Sequence, residues 1–310
     1  MAMPERVRIY EVGPRDGLQN EALPLATETK LEYIGLLRAA GLRDIEVTSF
    51  VAPSAIPQLA DAEAVMAGLQ RAPDEGVRYP VLVPNARGME RAAAAGARAI
   101  AVFTAASDAF TERNIGMTVE RSLETFQPLL ATAVSRGWWT RAYVSTAFGC
   151  PFTGRVDAER VVQVALRLAE MGADEVCLGD TIGVGVPSQV RELTGRAIGA
   201  GLPLERLAYH FHDTRGTALA NVMAGLEDGV GCFDASAGGA GGCPYAPGAA
   251  GNLATEDLVY LLDGVGLEHG VRLSGVLAAA RFISRALGRP LASKVGAAGG
   301  WDPLTGQPTG

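Results

Sequence analysis

Cysteine and histidine are both scarce in this 310-residue chain. The four cysteines are Cys150, Cys177, Cys232 and Cys243. They are too few and too widely spaced for a disulfide framework, and none forms a C-x-x-C pair, so we expect free thiols. The chain has only three histidines, and two of them, His210 and His212, lie two residues apart. In so histidine-poor a sequence, that pairing is a first indication of a site.

Long apolar runs and an excess of positive charge are also missing. The richest apolar stretch, Ala99 to Ala106, has eight residues, whereas a membrane-spanning helix needs about 18. The segment from Met1 to Arg6 lacks the apolar region of a signal peptide. A net charge of −7 offers no attraction to a phosphate backbone. These absences predict a cytoplasmic protein with neither a membrane nor a nucleic acid as partner.

A regular alternation of strand-like and helical segments runs along the chain. Eight short apolar runs each precede an Ala- and Leu-rich stretch, the pattern of βα units on a parallel sheet. The predicted strands are Val7–Val12, Asp44–Ser49, Arg78–Val83, Ala99–Phe103, Thr140–Ser145, Glu175–Leu178, Leu207–Phe211 and Gly231–Ala235. The predicted helices are Thr27–Ala40, Ser54–Gln70, Ala86–Ala97, Thr118–Arg136, Asp157–Met171, Ser188–Ala200, Thr214–Asp228 and Ala254–Asp263. Eight units favour a closed (β/α)8 TIM barrel of the α/β class over an open doubly wound sheet.

The same pattern predicts one domain, although the length alone leaves the number of domains open. We expect residues 1–290 to form a single catalytic barrel. An amphipathic stretch, Ser274–Leu287, predicts an additional C-terminal helix that packs outside the barrel. The segment 296–310 is rich in Gly and Pro and has little to bury, so we expect it to be disordered.

The His210-x-His212 pair ends the seventh predicted strand. Alternate strand residues point to the same side, so both imidazoles can reach one ion at the barrel mouth, where the active sites of such barrels lie. Two core histidines, or a pair bonded to carboxylates, are the alternatives. Strand eight closes against strands one and seven, which brings Asp16 and Asn252 near the pair. A carboxylate, two imidazoles and an amide oxygen are a common set of metal ligands.

Arg15 and Glu46 are charged residues at the same end of the predicted barrel. Arg15 precedes Asp16 and lies between Pro14 and Gly17, where it could form an exposed ion pair on a turn. A guanidinium beside a metal would instead stabilise the negative charge of an enolate. Glu46 lies in a predicted strand and would be costly to bury unpaired, so we expect it to pair with Arg15.

Cys243 lies in a Gly-rich loop after the eighth predicted strand. Two interpretations are equally open: a lid whose thiol donates or accepts a proton, and a phosphate-binding loop with an incidental cysteine. Cys177 and Cys232 lie in predicted strands and are expected to be core residues. Cys150, between Gly149 and a proline, fits either environment.

Five segments of the chain occur together in one known family. They are Glu11–Glu21, Ile45–Phe50, Asp180–Gly185, His210–Thr214 and Gly241–Asp257. Together they resemble the 3-hydroxy-3-methylglutaryl-CoA (HMG-CoA) lyases, a family of metal-dependent Claisen-type barrels. The resemblance runs from about Val7 to about Leu287, and the segments that contain Arg15 and Cys243 are specific to the lyases.

The resemblance implies an enzyme that cleaves (S)-HMG-CoA to acetyl-CoA and acetoacetate in leucine degradation. It implies a Mg²⁺ or Mn²⁺ ion held by Asp16, His210, His212 and Asn252, which binds the substrate and lowers the pKa of its 3-hydroxyl. Arg15 would then stabilise the enolate, and Cys243 would donate the proton that quenches it. Glu46 and Asp180 would support the catalytic network. An acyl-CoA is therefore the expected small-molecule partner, and we expect a homo-oligomer of two or more copies.

The chain departs from the family pattern at two places. It has Arg215 and Thr217 where the family usually has Tyr and Gln, and Ser54 and Ile56 where the family often has Lys and Trp. Both changes are expected to alter the pocket for the 3-substituent or for the CoA arm. A lyase for a related 3-hydroxyacyl-CoA with a larger 3-substituent is therefore an alternative function.

Two further alternatives are less favoured by the sequence. A Claisen-type synthase usually carries an accessory region, and only some 23 residues follow Leu287. A non-catalytic metal-binding barrel would lack the arginine or the proton donor, whereas Arg15 and Cys243 are both present.

Overall fold

A parallel sheet with helices outside it organises the chain in the computed structural model, which describes residues 2–71, 76–242, 251–301 and 308–309. The strands of this sheet are β1 (Arg8–Glu11), β2 (Asp44–Ile45), β3 (Thr48–Ser49), β4 (Val81–Leu82), β5 (Ala99–Ala105), β6 (Trp139–Ser145), β7 (Glu175–Asp180), β8 (Leu207–Phe211) and β9 (Cys232–Ala235). All their pairings are parallel. A short antiparallel pair, β10 (Gly300–Trp301) and β11 (Pro308–Thr309), lies apart from the sheet.

The sheet closes on itself through the segment that contains β2 and β3. The strand order is β2-β1-β9-β8-β7-β6-β5-β4-β3. Tyr10 of β1 pairs with Asp44 at one end of that segment, and Thr48 at its other end pairs with Val81 of β4. The two short strands therefore occupy together one of the eight strand positions of a closed barrel. The predicted (β/α)8 barrel is confirmed, with Glu46 at the point where the segment passes from one neighbour to the other.

Helices follow the strands and cover the outside of the ring. They are α1 (Thr27–Ala39), α2 (Ala62–Gln70), α3 (Ala86–Ala94), α4 (Asp108–Ile115), α5 (Val119–Ser135), α6 (Ala158–Glu170), α7 (Pro187–Gly199), α8 (Ala218–Glu227), α9 (Thr255–Val265), α10 (Leu273–Leu287) and α11 (Lys294–Ala298). Side-chain caps begin several of them: Asn85 accepts from Gly88 N at 3.0 Å and Thr118 from Arg121 N at 3.2 Å. The buried face of α6 shows the typical spacing, with Val161, Val162, Ala165 and Leu168 turned toward the strands.

The observed helices differ from the predicted ones at two places. The predicted helix Ser54–Gln70 is a 3₁₀ turn, Pro57–Leu59, followed by α2, because Pro57 lacks the N–H that a helix interior requires. A further helix, α4, is absent from the predicted elements. It precedes α5, and its C-cap is Gly116 with φ of 71°, in the left-handed region that glycine adopts readily.

Charged side chains fill part of the barrel interior at the amino-terminal ends of the strands. Arg141 is wholly buried; its Nε lies 3.2 Å from Glu175 Oε1, and its Nη2 donates to Asp234 Oδ1 at 2.5 Å. Its guanidinium also lies 3.7 Å from the centroid of the Tyr10 ring. Asp44 lies 2.7 Å from Arg78 and 3.4 Å from Arg8. These buried carboxylates are tolerated because each has a cationic partner.

The C-terminal part of the described chain is more ordered than expected. The predicted additional helix is α10. Part of the segment 296–310, expected to be disordered, has regular structure, since Ala297 belongs to α11 and β10 pairs with β11. Asp257 on α9 holds α11 in place, because its carboxylate accepts hydrogen bonds from Ser293 Oγ at 3.0 Å and Val295 N at 2.7 Å.

Within the described residues, no helix has the length and apolar character needed to cross a membrane.

Candidate active site

Three side chains with metal-ligating atoms meet at the carboxyl ends of the strands. Asp16 lies in the π-helical turn Gly13–Gly17 that follows β1, His210 lies in β8 and His212 lies just beyond it. One ligating atom from each lies within 4.8 Å of the others. Within the described residues, this is the one group of three or more His, Cys, Asp and Glu side chains that lie close enough together to hold a cation. The expected proximity of the carboxylate and the two imidazoles is therefore confirmed.

The backbone of the turn after β1 fixes the position of Asp16. Its N–H donates to Val12 O at 2.7 Å. A Cβ at Gly13 would lie 2.5 Å from Glu11 Oε1 and 2.4 Å from Tyr33 Oη, so only glycine fits this close approach. The turn thus directs Asp16 toward β8.

Asn252 reaches the same group from the segment after the eighth barrel position. Leu253 N donates to Phe211 O at 3.0 Å, which ties this segment to the end of β8. The Asn252 side-chain amide donates to Asp16 Oδ2 at 2.8 Å and to Ala240 O at 3.0 Å. Asn252 Oδ1 and His212 Nδ1 are buried and meet no hydrogen-bond partner within the described ranges. Because buried polar atoms rarely stay unpaired, these two atoms fit a bound cation.

Electrostatics holds two of these groups in the form that binds a metal. Burial raises the pKa of Asp16, but the charges of Arg15, His210 and His212 outweigh it and lower that pKa to about 2. Burial and the neighbouring His210 lower the pKa of His212 to about 4. At neutral pH the site therefore presents a carboxylate and a neutral imidazole.

Arg15 lies between two carboxylates beside this group. Its Nε bonds to Glu46 Oε1, and its Nη1 donates to Asp16 Oδ1 at 2.7 Å. Glu46 is wholly buried, and its Oε2 accepts from Tyr10 Oη at 2.8 Å and Tyr143 Oη at 2.7 Å. Burial opposes the charge of Arg15, but Glu46 and Asp16 raise its pKa above the ordinary value. The predicted pairing with Glu46 is confirmed, and the exposed ion pair is excluded because Arg15 is only 6% exposed.

Asp180 supports the loop that follows β7. Its Oδ1 accepts from Val184 N and its Oδ2 from Gly185 N, both at 2.9 Å. The adjacent Thr181 accepts from Thr146 N at 2.8 Å through its Oγ1, and Thr146 has a φ of 56° that is unusual for a residue with a branched side chain. Asp180 therefore shapes the rim of the site through the backbone of its own loop.

A cavity of about 560 Å³ opens above these residues. Arg15, Asp16, His210 and His212 line one part of it. An apolar wall, defined by Val51, Ala52, Ala55, Ile56 and Leu82, lines another part. The cavity thus combines a polar, charged region with an apolar one, as ligand sites commonly do.

The two departures from the family pattern occupy different places. Ile56 belongs to the apolar wall, as expected. Arg215 and Thr217 lie elsewhere: Arg215 donates to Ile182 O at 2.8 Å, and Thr217 donates to Gly185 O at 3.0 Å. Their side chains hold the loop after β7 and are not among the described residues that line the cavity. The expectation that they alter the pocket for the 3-substituent or for the CoA arm stays a prediction.

Cys243 lies outside the described residues. The other three cysteines are buried free thiols, and Cys177 and Cys232 lie in strands as expected. Cys150, which the sequence left undecided, is 2% exposed and accepts a hydrogen bond from Ser107 Oγ at 3.2 Å.

Several residues near the site were missed by the sequence analysis. Tyr10 and Tyr143 bond to Glu46, while Asp234 and Arg141 lie beneath His210. The sequence did contain one indication of Asp234 and Arg141. A charged residue in a predicted strand needs a buried partner, and this requirement, used above for Glu46, holds equally for these two residues.

Fold and site together define a class: a closed α/β barrel whose carboxyl end carries an Asp-His-His group suited to a divalent cation, with an arginine beside it. Residues 6–283 match the model of the family described as HMGL-like. The chain belongs to this family.

Named relatives cover nearly the whole chain. The human mitochondrial hydroxymethylglutaryl-CoA lyase is 48% identical over 94% of this chain and 89% of its own length. The crystal structure of hydroxymethylglutaryl-CoA lyase from Pseudomonas aeruginosa superposes with a TM-score of 0.92 at 46% identity, covering 96% of this chain and 98% of that one. An HMG-CoA lyase from Acinetobacter baumannii, solved with coenzyme A and 3-methylmalate, gives a TM-score of 0.91 at 34% identity and covers 100% of both chains. The names of curated relatives include both mitochondrial and cytoplasmic enzymes.

Proposed function

We propose that this protein is a carbon–carbon lyase that cleaves (S)-HMG-CoA to acetyl-CoA and acetoacetate, the reaction assigned to leucine degradation. One observation carries the proposal. The Asp16, His210 and His212 group and the Arg15 guanidinium line the same cavity, in a chain nearly half identical to enzymes named for this reaction.

The proposed cofactor is Mg²⁺ or Mn²⁺. Its ligands would be Asp16, His210, His212 and Asn252 through Oδ1. Two nitrogens and two oxygens suit an octahedral ion with positions left for substrate better than a closed tetrahedral zinc. When bound, the cation supplies a Lewis acid that polarises the substrate's oxygens and lowers the pKa of its 3-hydroxyl.

Arg15 is proposed to stabilise the charge that develops during cleavage. Transfer of the 3-hydroxyl proton to solvent water allows the C2–C3 bond to break, so that the 3-carbon becomes the ketone of acetoacetate and the electron pair of the broken bond forms the acetyl-CoA enolate. The Nε and Nη1 of Arg15 bond to Glu46 and Asp16, while its Nη2 edge is not used by these carboxylates. A guanidinium held by two carboxylates does not need to reorient when the enolate forms, and this preorganisation lowers the barrier.

Cys243 is proposed to donate a proton to C2 of the enolate, which completes acetyl-CoA, and the resulting thiolate regains a proton from water. The proposal rests on the sequence, where Cys243 lies in a Gly-rich segment between Ala240 and Asn252, and both of these residues bond at the site. Asp180 is proposed to support catalysis by holding the rim of the site.

A second candidate substrate is a related 3-hydroxyacyl-CoA with a larger 3-substituent. The apolar wall favours it, because Ala52 and Ala55 are small side chains on a surface suited to an alkyl group. Turnover of the methylglutaryl thioester and of a homologue with a longer 3-alkyl group would be compared as kcat/KM.

The experiment that tests the function uses the purified protein, Mg²⁺ and HMG-CoA, with acetoacetate and acetyl-CoA as the measured products. We expect one equivalent of each product per substrate consumed. The Arg15→Gln variant should form both products much more slowly than the wild type. Mg²⁺-dependent turnover of the longer thioester alone would favour the second substrate. Condensation of acetyl-CoA without cleavage would indicate a synthase, and metal binding without either reaction would indicate a non-catalytic barrel.

A cytoplasmic location and a homo-oligomeric state are also proposed, and both stay predictions. Relatives of both compartments are known, so location requires fractionation of the native cell. Light scattering of the purified protein measures the oligomeric state, and a monomeric mass would contradict the prediction.

A further inference from the structure

His210 has a carboxylate partner inside the barrel that takes no part in the candidate metal group. Its Nδ1 lies 3.0 Å from Asp234 Oδ2. The two residues occupy paired positions on neighbouring strands, since His210 of β8 is in register with Asp234 of β9. Asp234 is 1% exposed, so the contact is shielded from water.

Asp234 is itself held from the opposite side of the barrel. Arg141 Nη2 donates to its Oδ1 at 2.5 Å, and the Cys177 thiol lies 3.7 Å from its Oδ2. Arg141 is further fixed by Glu175 at 3.2 Å and by the Tyr10 ring. One carboxylate oxygen therefore faces the arginine and the other faces His210, and the carboxylate cannot turn without breaking an ion pair.

A histidine that donates Nδ1–H to a carboxylate keeps its lone pair on Nε2. That nitrogen is then free to bind a cation, and the ring has a fixed orientation. His212 differs, because its buried Nδ1 has no hydrogen-bond partner in the described part of the chain and is therefore the nitrogen left for the cation. The two histidines of the pair thus offer different nitrogens to the site.

We propose that Asp234 is a positioning residue, which fixes the Nδ1–H tautomer of His210 and presents Nε2 to the cation, and that Arg141 holds Asp234 in that role. The proposal rests on the metal site of the proposed function. It adds a chain of buried groups, Arg141 to Asp234 to His210, that extends from the barrel interior to the site.

Metal affinity without substrate tests the proposal. Asp234→Asn keeps the size of the side chain but removes its charge. The matched control is Asp44→Asn, which removes a buried carboxylate that pairs with Arg8 and Arg78 and that, within the described residues, forms no ion pair with Arg141 or His210. Binding of Mn²⁺ is measured by electron paramagnetic resonance on both variants and on the wild type. We expect about 10- to 100-fold weaker binding for Asp234→Asn and unchanged binding for Asp44→Asn.

Kinetics at varied metal concentration separates positioning from a general structural defect. With Asp234→Asn, kcat should return toward the wild-type value at saturating Mn²⁺, while the Mn²⁺ concentration that gives half-maximal rate rises in step with the dissociation constant. Wild-type Mn²⁺ affinity in Asp234→Asn would overturn the proposal. Equal loss in Asp44→Asn would also overturn it, since the effect would then come from the loss of any buried carboxylate and not from the His210 contact.

Nitrogen-15 spectra of the histidine rings test the tautomer in the wild-type protein, without any variant in the barrel interior. The chain has three histidines, and spectra of His212→Ala and His269→Gln assign them. We expect a protonated Nδ1 on His210 before metal is added and a shift of its Nε2 on addition of Mg²⁺. A neutral His210 ring with its proton on Nε2 and none on Nδ1 would overturn the proposal. Wild-type protein that binds Mn²⁺ as expected but produces no acetoacetate would contradict the proposed function and leave this inference standing.

Discussion

The two ends of the barrel interior both contain buried charges, but they pair them differently. At the amino-terminal end, Asp44 and Glu175 each lie within ion-pair distance of arginines. At the carboxyl end, Asp16 and Glu46 share Arg15, while His212 Nδ1 and Asn252 Oδ1 meet no hydrogen-bond partner within the described residues. Burial of charge alone therefore does not identify a site. Buried atoms without a hydrogen bond occur at both ends, since in the described part of the chain Asp44 Oδ1 and Glu175 Oε1 also have none, but these two oxygens lie 2.7 Å from Arg78 and 3.2 Å from Arg141. The distinguishing feature of the carboxyl end is a group of buried polar atoms that lack both a hydrogen bond and an ion-pair contact within the described residues.

The largest effect on turnover is expected from His212→Ala at the carboxyl end. Loss of an imidazole should remove most of the bound metal, and turnover should fall by at least about 10³-fold, because a Lewis acid contributes several kcal/mol to such reactions. Metal content and turnover are measured together, with circular dichroism as the check on folding. His269→Ala is the control, since His269 bonds Asp263 at 2.9 Å outside the site. Full metal occupancy with full activity in His212→Ala would remove His212 from the ligand set.

Cys243→Ala should have the next largest effect. We expect kcat to fall by about 10²- to 10⁴-fold, the range for a positioned general acid, with metal binding unchanged. Alkylation of the wild type should inactivate it, and a bound substrate analogue should protect it, since the other three cysteines are buried. Cys150→Ala is the control for the alkylation. Near-normal turnover in Cys243→Ala would make the thiol incidental.

Arg15→Gln tests whether the arginine serves the reaction or only the metal. The expected fall in kcat is about 10²- to 10³-fold, the usual loss for one electrostatic donor, with metal content intact. Arg15→Lys should rescue poorly, because a point charge cannot bond Glu46 and Asp16 as the fork does. Exposed Arg196, replaced by Gln, is the control. A loss of metal affinity that parallels the loss of rate would mean that Arg15 only organises the ligands.

Asp44→Asn probes the opposite end of the barrel. Replacing a carboxylate that lies between Arg8 and Arg78 should lower the free energy of unfolding by about 1–3 kcal/mol, since hydrogen bonds to charged groups are lost. Turnover at saturating substrate should not change. Urea unfolding gives the first quantity and the acetoacetate assay the second, with the exposed-pair variant Glu192→Gln as control. A large loss of turnover in Asp44→Asn would show that buried charge at the amino-terminal end of the barrel also serves the reaction.

A smaller, pH-dependent effect is expected from two carboxylates next to the last loop. Burial raises the pKa of Glu11 and of Glu256 to about 7, although Glu11 accepts from Ala237 N at 3.0 Å and Glu256 from Gly238 N at 2.9 Å. Both groups hold a proton more tightly when the protein is folded, so stability should fall as pH rises from about 4.5 to about 7. Glu256→Gln should flatten the dependence of urea-unfolding midpoints on pH. An unchanged profile in Glu256→Gln would show that its carboxyl does not titrate in this window.

The regular part of the fold could be predicted because each βα unit is encoded locally. The alternation of apolar strands and amphipathic helices is visible within short windows of sequence. The 3₁₀ turn at Pro57–Leu59, α4 and α11 could not be predicted in the same way. In particular, α11 depends on Asp257, whose bonds to Ser293 and Val295 span more than 30 residues.

The candidate metal group was predictable for a different reason: barrel closure determines which loops become neighbours. Closure places Asp16 beside His210 and His212, and this proximity follows from the strand order without knowledge of any side-chain packing. The partners of buried charges were not predictable at this level. The sequence requires a partner for Asp234, but the choice of Arg141, 93 residues away, depends on the side chains across the interior.

The segment that joins β2 to β3 links assembly of the ring to catalytic competence. Glu46 lies between the residues that pair with β1 and those that pair with β4. A molecule whose ring has not closed there cannot hold Arg15 with Glu46, so it should be inactive even if most of its helices have formed. Specific activity should therefore report the fraction of molecules with a completed ring during refolding, and it should rise later than the helical signal.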